Sequence, residues 1–413
     1  MIQLIQKEDC VGCRGCVQVC PKQCISFDED TQGFSYPKVD LERCIHCNLC
    51  EKVCPVINQA LPRQPADVYG AKNKDESIKA HSSSGGVFYA LAEKIIAEGG
   101  VVFGAQFNDK WEVVHGYAED MEGVSAFQTS KYVQSYIGNS FCEVKSFLES
   151  GRKVMFTGTP CQISGLKLFL RKDYPEQLLT VDIVCHGVPS PRVWREYLDY
   201  IKTGYKRKFK NTESTLSVSP VITSINFRDK RLGWNKYGFS ICITDTNLTQ
   251  TNIVEIESVE NKEILFEPVS QNIYMQGFLK DLYLRPSCYQ CPVKQLKSGS
   301  DLSLADFWGV QRSYPKLYDS AGLSLILVNT VWGKIYLEKC NCEKIRVSYD
   351  IVKKANPAIT KSSSKPKLYN YFWENYFDKG LQSLPSILNM TKPNILDKTI
   401  ILIKRTIIKL LKL

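Results

Sequence analysis

The stretch HSSSGGVFYALAEKIIAEGGVVFGAQF changes its hydrophobic period in the middle. Val87, Phe88, Leu91 and Ile95 recur at helical spacing, Gly99-Gly100 interrupts them, and the β-branched, aromatic run Val101 to Phe107 reads as a strand. In KVMFTGTPCQISGLKLFL the order is reversed. Val154 to Phe156 is a short buried strand, Thr157-Gly158-Thr159 a turn, and Pro160 suits the first turn of a helix. LLTVDIVCHGVPSP adds a strand, Leu178 to Val184, and a further helix begins near Pro191. Strands alternating with helices predict an α/β body. Ahead of it, INQALPRQPADVYG is spaced by prolines and reads as a linker near residues 58–68. At the far end, ILDKTIILIKRTIIKLLKL puts Lys398, Arg405, Lys409 and Lys412 in one narrow helical arc, with isoleucines and leucines over most of the rest. That predicts a basic amphipathic helix, too charged and short to span a bilayer. It would lie on an anionic membrane surface, against a partner, or back on its own domain.

Composition adds one strong signal. With 413 residues, 44% hydrophobic and 23% charged, the chain is long enough for two or three ordinary globular domains. It also holds 17 cysteines. The start, MIQLIQKEDC, turns polar within a few residues, so no signal peptide is expected. No apolar run reaches the roughly 18 uncharged residues of a spanning helix. In the reducing, cytoplasmic setting this implies, cysteines serve metal binding or catalysis rather than structural disulfides.

Eight of the cysteines carry a pattern. CVGCRGCVQVCP from Cys10 and CIHCNLCEKVCP from Cys44 are both C-x2-C-x2-C-x3-C-P. In such a pair three close cysteines wrap one cubane, and the fourth, before proline, reaches the other cluster. Cys10, Cys13, Cys16 and Cys54 are therefore expected to hold one 4Fe–4S cluster, and Cys44, Cys47, Cys50 and Cys20 a second. Gly12 and Gly15 let the backbone bend close, where a Cβ would crowd the cluster. Structural zinc, the competing use, favours four ligands in more widely separated pairs. The segment resembles the bacterial two-cluster ferredoxin domain. Cys24 falls outside the pattern and reads as a buried small apolar residue.

Four more cysteines lie beside turns. Cys161 follows Pro160 at a predicted helix N-terminus, where a thiolate is favoured. Cys185 and His186 end the strand Leu178 to Val184, on what should be the same sheet edge. Cys288 and Cys291 form a C-x-x-C in RPSCYQCPVKQLKSGSDLSLADFWG. Spacing alone leaves two readings: the four thiols share one site, or Cys288 and Cys291 form a redox disulfide. Cys142, Cys242, Cys340 and Cys342 sit in ordinary helix or strand faces. Ser82 to Ser84 offer N-caps to the helix that follows, and with Gly85 and Gly86 they make a ready anion site. Neither G-x-G-x-x-G nor G-x-x-x-x-G-K-[ST] occurs, so no dinucleotide fingerprint or P-loop is claimed.

From about Asp67 to Val328 the chain resembles the beta-subunit family of coenzyme F420 hydrogenases and dehydrogenases, through SSSGGVF, SKYVQS, GTPCQISGLK, VDIVCHGVPSP, SCYQCPVK and DLSLADFWG. The resemblance implies an FAD flavoprotein with a third 4Fe–4S cluster, held by Cys161, Cys185, Cys288 and Cys291. It also implies that Ser82, Ser83, Ser84, Gly85, Gly86, Ser130, Lys131, Tyr132 and Gln134 lie against FAD. Lys131 would offset flavin or phosphate charge, and a solvated surface lysine is the alternative. His186 is expected to support Cys185 rather than ligate. FRDKRLGW (Phe227 to Trp234) is a basic loop that reads as a solvated turn, with contact to an anionic substrate the alternative, and no catalytic acid or base is named.

The expected architecture is an α/β (α+β flavoprotein) core, with a small ferredoxin-like domain in front and the amphipathic helix behind. Its parts are residues 1–62, 67–150, 151–345 and 346–413. The expected function is an oxidoreductase that passes electrons between clusters and FAD, with hydride exchange to a soluble carrier or substrate such as coenzyme F420. Ferredoxin or another low-potential carrier is the electron partner. A non-enzymatic relay subunit feeding a partner enzyme is the competing reading. The formal charge of +10 does not argue for nucleic acid. Twelve thiolates on three cores of about +2 each bring it to about +4. Basic residues interleaved with aromatics are confined to Lys206-Arg207-Lys208-Phe209-Lys210.

Overall fold

The computed structural model describes residues 2–209, 220–245 and 263–391. The predicted C-terminal amphipathic helix, with Lys398, Arg405, Lys409 and Lys412, lies outside the described residues. Among the described residues no helix is long and apolar enough to cross a membrane.

Thirteen strands appear among these residues. The first two, β1 (Ile25–Glu29) and β2 (Ser35–Val39), form an antiparallel pair within the cysteine-motif domain. Eight belong to the central sheet: β3 (Asp67–Asn73), β4 (Val101–Phe107), β5 (Val113–Ala118), β6 (Val154–Gly158), β7 (Leu178–Ile183), β11 (Leu302–Asp306), β12 (Ser324–Val328) and β13 (Cys342–Arg346). Their order is β13-β3-β12-β11-β7-β6-β4-β5. The inner strands β4, β6, β7 and β11 run parallel, and the outer pairs are antiparallel. The architecture is α/β, as the alternating pattern predicts. β3, from ahead of residue 150, sits between β12 and β13, so the two central stretches of chain share one sheet.

Alternation along the strands explains why both faces are covered. Val102, Met155 and Leu179 join Val87, Leu91 and Ile95 of the helix Val87–Ala97 on one side. Val101, Phe103, Val154 and Phe156 join Phe141, Ile163 and Leu166 on the other, beneath the helices Ser140–Glu149 and Pro160–Leu170.

The remaining strands, β8 (Pro220–Asp229), β9 (Gly238–Asp245) and β10 (Glu263–Pro268), make a separate antiparallel sheet in the order β10-β9-β8. Phe227 and Phe239 from this sheet meet Trp194, Tyr197, Tyr274, Phe372 and Trp373 in an aromatic core. Lys206 to Phe209, from the one basic and aromatic stretch, fall within the helix Pro191–Phe209.

Candidate iron–sulfur and cofactor site

The two cysteine motifs fold as matching loops. Gly12 (φ +72°) and Arg14 (φ 60°) take left-handed backbone in the first, and His46 (φ 53°) and Asn48 (φ 58°) do so at the equivalent places in the second. Each loop then enters a short helix, Gly15–Val19 or Leu49–Lys52. The repeat in sequence is thus a repeat of backbone shape. Gly12 also has no room for a side chain: a Cβ would come within 2.6 Å of Gln134 Nε2.

Burial first, then Cys16, Cys54 and Cys10, push the Cys13 thiol well up. Burial, Cys10, Cys54 and Cys50 do the same to Cys16. Cys10, Cys13, Cys16 and Cys54 therefore lie near one another, with Cys50 of the second motif bordering them. Cys20, Cys44, Cys47 and Cys50 line a cavity whose wall also includes Cys24. Cys24 is buried in an apolar cluster, as expected, and its Sγ lies 3.4 Å from Cys20 Sγ, so it also forms part of the wall of the thiol cavity.

The motif domain is seated on the body by specific contacts. Gln18 Oε1 accepts from the backbone N–H groups of Phe141 and Cys142 at 3.0 and 3.1 Å at the start of the helix Ser140–Glu149, where the Cys142 N–H is shared with the Asn139 carbonyl. Gly165 faces Cys13: a Cβ there would stand 3.0 Å from its Sγ.

The four thiols of the body come from three places on the fold. Cys161 follows β6 on a helix closed by a capping box between Thr159 and Gln162. Cys185 follows β7, which runs parallel beside β6, so both thiols leave the same sheet edge. Cys288 rides the 3-10 helix Pro286–Gln290, and Cys291 comes just after it. A β-bridge between Pro189 and Leu284 ties this segment to the loop after β7. Gly187 lets the two meet, since a Cβ there would lie 2.7 Å from Leu284.

Burial and then Cys291 push Cys161 up to about 12 against a hydrogen bond from Thr159, and Cys185 adds to the rise. Burial also pushes Cys185 up to about 12, with Cys288 and Cys291 opposing the pull of Lys294. The C-x-x-C thus lies within electrostatic reach of Cys161 and Cys185. Among the described residues no three His, Cys, Asp or Glu side chains are close enough to hold a single metal ion. A cubane, being wider than one ion, does not require that. Buried thiols that repel one another fit a group that takes them as thiolates and brings positive charge.

Lys294 donates to the Cys185 carbonyl at 2.5 Å and to that of Ala358 at 2.9 Å. His186 Nε2 meets Asp281 Oδ1 at 2.5 Å beside the ligand loop.

The serine turn is built differently from its expectation. The N-cap of the helix Val87–Ala97 is Gly86, in left-handed backbone, and no serine side chain caps it. Ser82 Oγ donates to the Ile78 carbonyl and Ser84 Oγ to the Leu323 carbonyl. Ser83 Oγ accepts from Ser130 N at 2.7 Å and Ser130 Oγ at 3.1 Å, joining the two predicted stretches. Gly85 is pinned against β3 and β12, where a Cβ would lie 2.5 Å from the Ala71 carbonyl.

Lys131 follows this junction. Its ammonium donates to the carbonyls of Gln128 and Thr129, and burial pushes it down to about 7. The Tyr132 ring stacks on Phe278. Gln134 stands apart from the serines, against the carbonyl of Val11 and the guanidinium of Arg285.

Sequence reading missed two arginines. FRDKRLGW is only partly a solvated turn: Arg231 and Leu232 are exposed at its tip, but the Arg228 side chain is buried and pairs with Asp306 at 2.9 Å. Arg228 also donates to the Ser83 carbonyl at 3.3 Å, and its Nε is buried without a partner. Trp234 donates to Asp306 and stacks flat on Trp308, with ring centroids 5.4 Å apart. Arg285, three positions before Cys288, is equally buried. A charged residue beside a C-x-x-C was the one available signal.

No curated protein matches the chain. Among solved structures it is similar to a chain of the F420-reducing [NiFe] hydrogenase complex from Methanosarcina barkeri, at 16% identity and a TM-score of 0.45, covering 72% of this chain and 89% of that one. Residues 9–58 match the family model described as a 4Fe-4S dicluster domain. Residues 151–348 match the family model for the C terminus of the coenzyme F420 hydrogenase/dehydrogenase beta subunit.

Proposed function

We propose that the chain is an iron–sulfur flavoprotein oxidoreductase with three 4Fe–4S clusters and FAD. Cys10, Cys13, Cys16 and Cys54 would hold one cluster, and Cys20, Cys44, Cys47 and Cys50 the second. Cys161, Cys185, Cys288 and Cys291 would hold the third. The observation that carries this reading is the gathering of these last four thiols beside the dicluster domain, with Gly165 of the Cys161 helix against Cys13. The clusters supply one-electron transfer, and a flavin joins it to hydride chemistry on a soluble carrier of the F420 kind.

The chain's own residues bind and orient. The Ser82–Gly86 turn and Ser130 form a rigid floor, because their hydroxyls are tied to one another and to β12. Lys131 brings an ammonium held by two carbonyl oxygens and the face of Phe107, which an anionic cofactor would complete. Arg228, fixed by Asp306 and touching Ser83, adds a second cation.

Iron, sulfide and flavin quantification with an anaerobic visible spectrum tests this. About twelve irons and one FAD are expected, and Lys131→Met should weaken flavin binding about tenfold while sparing iron. Full iron without flavin would identify an electron-relay subunit instead.

A further inference from the structure

Arg285 is 1% exposed, and its three hydrogen-bond partners are all neutral oxygens. Nε donates to the carbonyl of Cys10 at 2.6 Å, Nη1 to Gln134 Oε1 at 3.0 Å, and Nη2 to the carbonyl of Ser35 at 2.9 Å. The rings of Tyr36 and Phe34 lie 4.6 and 5.4 Å from its Cζ. Carbonyls and ring faces hold a guanidinium in place but leave its charge uncompensated, and a lone buried charge is costly.

Its position shows where the counter-charge belongs. On one side it grips the backbone of Cys10, and Gly12 in the same loop could not carry a Cβ, which would lie 3.0 Å from the Arg285 Cζ. On the other, its own carbonyl receives the Cys288 N–H at 2.8 Å, and its charge reaches the Cys161 and Cys288 thiols. One cation thus stands between two thiol groups from distant parts of the sequence. Four thiolates around a core of about +2 leave a site near −2, and reduction adds one more negative charge.

We propose that Arg285 is the shared counter-charge of the Cys10–Cys13–Cys16–Cys54 site and the Cys161–Cys185–Cys288–Cys291 site. It raises the reduction potential of both and aligns them with each other, while the Cys20–Cys44–Cys47–Cys50 site lies outside its reach. The guanidinium stays protonated throughout and exchanges no proton. This rests on the cluster reading above.

The test is a reductive titration of the full chain, followed by electron paramagnetic resonance, with iron counted in the same samples. Arg285→Gln should move two of the three midpoint potentials downward and leave the third in place, and Arg285→Lys should restore most of the shift. If Arg285→Gln fails to fold, Gln134→Glu sets a carboxylate against the intact guanidinium and should produce the same paired downward shift. Full iron with no shift, or with all three potentials moving equally, overturns the role of Arg285 alone. Parent protein that binds only about eight irons refutes the third site itself, and the shared role with it.

Discussion

Gly165 lies against Cys13, close enough that a Cβ on the glycine would stand 3.0 Å from both the Cβ and the Sγ of the cysteine. The helix that begins beside Cys161 is therefore also the floor of the first cysteine loop. Gly165→Val should push the motif domain off its seat, since overpacking a close contact costs about 1–3 kcal/mol. Urea unfolding should report that loss. Protease should also cut the exposed linker at Leu61 faster than in the parent. Unchanged cleavage and stability would mean the contact yields without consequence.

Cys288→Ser tests the four-thiol group directly. It should remove about four of about twelve irons and leave the dicluster domain loaded. Retained iron with loss of a thiol–disulfide activity would return Cys288 and Cys291 to a redox disulfide.

Arg228, buried, pairs with the half-buried Asp306. Arg228→Met leaves the carboxylate without its partner and should cost about 3 kcal/mol in unfolding free energy. Asp306→Asn should recover part of that loss in the double variant, because the stranded charge is then gone. A solvated turn would show neither effect.

Asp182 on β7 is 2% exposed, and burial raises its carboxyl to about 6 against hydrogen bonds from Ser298, Ser303 and Ser300. The folded protein then holds this proton at a pH where the unfolded chain has released it. Stability from this group is full below about pH 4 and declines as pH rises to about 6, by at most about 1.4 kcal/mol per unit. Asp182→Asn should flatten that slope in denaturation curves taken between pH 4 and 7. An unchanged slope would assign the dependence to other groups.

The sequence by itself determined whatever depends on local spacing. The two cysteine motifs, the strand Val101–Phe107 and the helix opened by Pro160 all follow from positions a few residues apart. Chain direction alone placed Cys161 and Cys185 at one sheet edge, because both end parallel strands joined by a helix. Ser82 to Ser84 do not cap the helix, although a serine beside a helix start offers a hydroxyl either way. Ser83 meets Ser130 and Ser84 meets Leu323, both distant in sequence, while Ser82 turns back to Ile78.

The tertiary structure alone decided the fates of the buried charges. Nothing near Arg228 in sequence announces Asp306, and nothing near Arg285 announces Cys10. An arginine is exposed by default, and only the partners that folding brings across the sheet and the domain boundary make its burial tolerable.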